Sequence, residues 1–83
     1  SDLVKLRYTP SGNLFIINEF HGPVTVTLSL SQYAGVHATR DLREPIIVPA
    51  RSEQFVDRLG LVSGRQEGLV QARYGRQHRL ASL

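Results

Sequence analysis

Residues 22 to 31 read Gly-Pro-Val-Thr-Val-Thr-Leu-Ser-Leu-Ser. Val24, Val26, Leu28 and Leu30 occupy one phase of a period-two pattern, and Thr25, Thr27, Ser29 and Ser31 occupy the other. Successive side chains of an extended strand point to opposite faces. The stretch therefore predicts a strand with one apolar and one hydroxyl-bearing face, the pattern of an antiparallel sheet half open to water. Such a sheet needs a second apolar layer to cover it. The chain has no cysteine, so neither a disulfide nor a thiolate metal site can supplement the core.

The remaining runs are also short, and turn residues separate them. Leu3 to Tyr8 alternates as a first strand and stops at Thr9-Pro10-Ser11-Gly12-Asn13, a dense turn cluster. Leu14 to Phe20 forms a second strand. His21-Gly22-Pro23 then turns the chain into the quoted strand, with Gly22 free for a positive φ, which predicts a hairpin between the second and third strands. Gly35 to Thr39 is a short edge-strand candidate. Ile46-Ile47-Val48 is a β-branched strand that Pro49 ends, and Gln54 to Leu61 follows. Ser63 to Gly68 reads as a hairpin loop, and Leu69 to Tyr74 pairs with Gln77 to Leu83 around Gly75-Arg76. The expectation is a single all-β domain over residues 1–83, an Ig-like antiparallel β-sandwich of about seven short strands.

The second strand carries a further message. Leu14, Ile16 and Phe20 share the phase that joins the core with Val24, Val26 and Leu28, yet Phe15 and Ile17 on the opposite phase are apolar too. Either another part of the domain covers Phe15 and Ile17, or the two mark a contact surface for a partner.

Few chemical signals accompany this framework. The 83 residues carry a net charge of +3, all of it in residues 51–83, since residues 1–50 balance. Arg73-Tyr74-Gly75-Arg76-Gln77-His78-Arg79 sets basic groups beside an aromatic. Arg73, Tyr74, Arg76 and Arg79 are thus candidates for an anion-binding rim, with Tyr74 either stacking on a ligand or turned inward. His37 and Asp41 stand at a spacing that supplies two metal ligands, but His21 and His78 give no compact third, so no metal site is expected. Asp41 with Arg40 and Arg43, and Asp57 with Arg58, read as solvated charge pairs. No nucleophile elbow, phosphate loop or cofactor motif is present, and no enzyme or cofactor is expected. At 41% hydrophobic the chain is apolar enough to fold, while no apolar run approaches the roughly 20 residues of a membrane span.

The order of these features carries a resemblance. Asn18, Gly22-Pro23, the alternating strand Val24 to Leu30, the step Val48-Pro49-Ala50-Arg51-Ser52 and the closing Arg73-Tyr74-Gly75 together resemble an accessory β-sandwich domain. It precedes the catalytic domain in bacterial cell-wall zinc endopeptidases of the lysostaphin/LytM type. The likeness runs roughly from Leu14 to Gly75. The family's catalytic domain carries His-x-x-x-Asp and His-x-His motifs; this chain lacks His-x-His, so no catalytic residue carries over. The resemblance implies an accessory domain taken from a longer protein of the bacterial envelope or periplasm. Its partner would be a neighbouring domain of the same protein or an envelope protein. The doubled phase of the second strand makes the expected contact surface apolar, at Phe15 and Ile17, with the arginine hairpin as its polar rim. The alternative is a module that binds an anionic polymer through that hairpin.

Overall fold

A computed structural model describes residues 3–30, 38–60, 67–76 and 78–83. Among these residues there are seven strands: β1 (Val4–Tyr8), β2 (Asn13–Asn18), β3 (Val24–Leu30), β4 (Ile46–Val48), β5 (Ser52–Arg58), β6 (Val70–Tyr74) and β7 (Arg79–Ser82). They form two antiparallel sheets, one of three strands in the order β1-β2-β5 and one of four in the order β4-β3-β6-β7. The sheets close on each other as a small β-sandwich. Val4, Leu14 and Ile16 reach the core from the first sheet, and Val26, Val48, Val70 and Ala72 from the second, all of them fully buried.

The alternation of the quoted stretch is realised as read, with Val24, Val26 and Leu28 buried and Thr25, Thr27 and Ser29 exposed. The hairpin expected between the second and third strands is not formed. β2 pairs with β1 and β5, whereas β3 pairs with β4 and β6. Both strands do send their apolar phase to one core, but from opposite sheets, so residues 19–23 cross the end of the sandwich. Asn18 makes this crossing. Its Oδ1 accepts from the Phe20 N–H at 2.9 Å and its Nδ2 donates to the Gly22 carbonyl at 3.0 Å, an Asx-type turn that leads the chain out of the sheet plane.

The same amide nitrogen lies 3.2 Å from the Val48 carbonyl and 3.1 Å from the Pro49 carbonyl, where the chain crosses back from β4 to β5. Two protons are shared among three carbonyls, so the two crossings are pinned to one side chain. Arg51 reinforces the corner: its N–H donates to the Phe20 carbonyl at 3.1 Å and its guanidinium to the Glu19 carbonyl at 3.0 Å. Gly22 does not adopt the positive φ expected of it. The left-handed position of this corner is Arg51, at φ 55°, a conformation that a non-glycine residue holds only where its surroundings demand it.

The link between β5 and β6 likewise passes from one sheet to the other, so the hairpin expected around Ser63 to Gly68 is replaced by a third crossing. Residues 61–66 of that link lie outside the described residues, as do residues 35–37 of the expected edge strand; Ala38 and Thr39 are not in a strand. The pairing of β6 with β7 around Gly75-Arg76 is as expected.

A bulge in β5 completes the first sheet. Phe15 pairs with Phe55 but Leu14 pairs with Asp57, which leaves Val56 as the extra residue. Val56 and Asp57 are both buried in consequence. Asp57 is therefore not the solvated partner of the Arg58 side chain. It is 2% exposed and accepts from the Thr39 N–H at 2.7 Å, the Arg40 N–H at 3.2 Å, the Arg58 N–H at 2.7 Å and the Thr39 hydroxyl. Burial alone would raise its pKa, but these donors outweigh burial and hold the carboxyl below the usual carboxylate range. Asp41 does form an exposed ion pair with Arg43 at 3.0 Å, which lowers its pKa.

Candidate functional site

Two surfaces gather the candidate residues, and they lie on different sheets. The first is the outer face of the three-stranded sheet. Strand register sets Arg7, Phe15 and Phe55 in one cross-strand row and Lys5, Ile17 and Glu53 in the next. The Phe15 and Phe55 rings meet edge to face with centroids 5.6 Å apart, and the Arg7 guanidinium lies 4.2 Å from the centre of the Phe15 ring. Both contacts are favourable beyond their buried area. Arg7 also pairs with Glu53, and Lys5 with Glu19 at 3.0 Å.

Phe15 and Ile17 are thus half-buried, and the Arg7 guanidinium lies over the Phe15 ring. The polar frame around them comes from Lys5, Arg7, Glu19 and Glu53. The Arg73–Arg79 hairpin belongs to the other sheet. Phe55 is the member that sequence reasoning missed. It is 49% exposed, and its apolar character at an outward position becomes meaningful only once the bulged pairing sets it beside Phe15.

The second surface surrounds that hairpin. Arg73 projects from the outer face of the four-stranded sheet, in register with Thr27 and Leu80. Tyr74 turns the other way and is 3% exposed, edge to face with Phe20 at 6.2 Å. It offers no stacking platform to a ligand. Among the described residues its buried hydroxyl has no hydrogen-bond partner, a state that ordinarily costs about 1–3 kcal/mol. Arg76 follows Gly75, which takes φ 76° at the turn, and Arg79 pairs across the ladder with Tyr74. The candidate arginines therefore do not form one strip, because Arg73 and Arg79 belong to opposite phases.

Between this hairpin and the β2–β3 crossing lies an open groove of about 560 Å³. Phe20, Pro23, Val24 and Tyr74 give it an apolar lining, and His21, Arg76 and Arg79 stand along it. Among the described residues Arg76 and Arg79 have no acidic partner.

His37 lies outside the described residues, so its relation to Asp41 is not described. Among the described residues no three His, Cys, Asp or Glu side chains cluster so as to hold a metal ion, and no helix is long and apolar enough to cross a membrane. Comparison with known proteins found no matching family model, no significantly similar curated protein and no significantly similar solved structure.

Proposed function

We propose that the chain is a non-catalytic accessory domain of a bacterial cell-envelope, peptidoglycan-processing protein, and that it works by packing the outer face of its three-stranded sheet against a neighbouring domain. The observation that carries this reading is the Phe15–Phe55 edge-to-face pair, with Ile17 in the adjacent row and charged residues around both. Docking surfaces between domains have this anatomy, an apolar and aromatic centre within a polar rim. The resemblance to the accessory domains of lysostaphin/LytM-type endopeptidases supports the envelope setting. Asn18, Gly22, the Val48-Pro49 step and Arg51, which carry part of that resemblance, meet in one corner of the sandwich.

Hydrogen exchange tests the reading when the 83-residue chain is compared with its full-length parent protein. Amides of β1, β2 and β5 are expected to exchange more slowly in the parent, and Phe55→Ser is expected to remove that difference while leaving the fold intact. Equal exchange in the parent and in the isolated chain would refute the docking role.

A further inference from the structure

The groove between the β2–β3 crossing and the β6–β7 hairpin shares no residue with the docking face, and its chemistry is different. We infer that it binds a small amphiphilic anion, an apolar chain or ring bearing one carboxylate or phosphate. Phe20 and Tyr74 form a T-shaped aromatic pair, and Pro23 and Val24 extend the apolar lining. A space of about 560 Å³ lies within the usual size of small-molecule sites, which are mostly apolar with a few placed polar groups. Here the polar groups are cationic. Arg76 and Arg79 lie along the groove, and among the described residues no acidic side chain lines it and neither arginine has an acidic partner.

A guanidinium matches the two oxygens of a carboxylate or phosphate by paired N–H donors, and such charge-assisted bonds are the strong ones. An anionic head is acceptor-only, and its oxygens complement the guanidinium donors of Arg76 and Arg79. A neutral apolar ligand would leave the arginines unused. A highly charged polymer would leave the apolar lining unused. The lining thus favours one charge on an apolar body.

The test titrates the protein with monomeric decanoate and follows backbone amide shifts by NMR. Shifts are expected to concentrate at residues 20–24 and 74–79. Decanol is expected to bind more weakly. Arg76→Ala combined with Arg79→Ala is expected to weaken decanoate by about tenfold or more, the worth of a lost charge-assisted hydrogen bond, with the dispersed spectrum of the folded protein retained. Equal affinity for decanoate and decanol, an unchanged affinity in the double variant, or shifts centred on Phe15 and Phe55 would each overturn the assignment. Binding to vesicles of anionic phospholipid without binding to decanoate would overturn it as well, and would point to a bilayer surface instead.

Discussion

Asn18 and Asp57 are both almost completely buried, at 1% and 2% exposure, and each anchors chain that runs outside the sheets. They do it with opposite chemistry. Asn18 faces three carbonyls and one N–H, so the position calls for a group that donates and accepts. Asp57 faces only donors, from Thr39, Arg40 and Arg58, which suits a carboxylate. An amide carries no proton equilibrium near neutrality, so the Asn18 corner holds alike at every ordinary pH. The Asp57 anchor has a charge that acid can remove. Two solutions to one packing problem thus differ in their sensitivity to pH.

Removing each anchor tests that contrast. Asn18→Ala strips partners from four backbone groups at once and is expected to cost about 3 kcal/mol, because each buried group left unpaired costs about 1–3 kcal/mol and some regain water. For a domain this small that is a large share of the roughly 5–15 kcal/mol typical of folded proteins. Urea midpoints at neutral pH measure it, and the loss is expected to persist unchanged on mild acidification.

Asp57→Asn is expected to cost less, about 1–2 kcal/mol at neutral pH, since one amide oxygen still accepts. Its decisive effect lies in acid. Asp57 titrates near about 3.9 in an unfolded chain and lower in the fold, so its stabilisation is complete above that value and drains away as pH falls through the folded pKa. Urea midpoints across this range are expected to fall more steeply for the native protein than for Asp57→Asn. Parallel curves would mean that the carboxylate is not the acid-labile anchor.

The smallest effect is expected at Gly22. A Cβ there meets no atom within 4 Å and the backbone is not in the left-handed region. Gly22→Ala is expected to change stability by no more than about 0.5 kcal/mol, read from the same midpoints. A large loss would shift the weight of the corner from the Asn18 side chain to the turn backbone.

The strands were legible because each carries its own period. The alternation at Val24 to Leu30, the phase of Leu14 and Ile16, and the Gly75-Arg76 turn all found their places. What was hidden depends on partners distant in sequence. Gly22-Pro23 looks the same whether it closes a hairpin or leaves a sheet, and the choice lies with Asn18, whose acceptors include Val48 and Pro49. Asp57 beside Arg58 looks like a surface pair until the bulge at Val56 turns it inward. Phe15 and Ile17 were recognisable as candidates from their doubled phase, whereas Phe55 needed its register with Phe15.

The crossing at residues 19–23 also governs how the molecule comes together in time. Because β2 and β3 part company, the three-stranded sheet waits for β5 and the four-stranded sheet waits for β6. Phe15 must find Phe55, and Leu28 must find Ala72, before either layer is whole. Topologies dominated by such distant pairings fold in roughly milliseconds to seconds, slower than helical bundles of similar size. A chain emerging from the ribosome can close the β1–β2 hairpin early, but the core stays open until β6 and β7 have been made. During that interval the apolar phases of β2 and β3 are exposed together, which makes this the window in which a chaperone has most to offer.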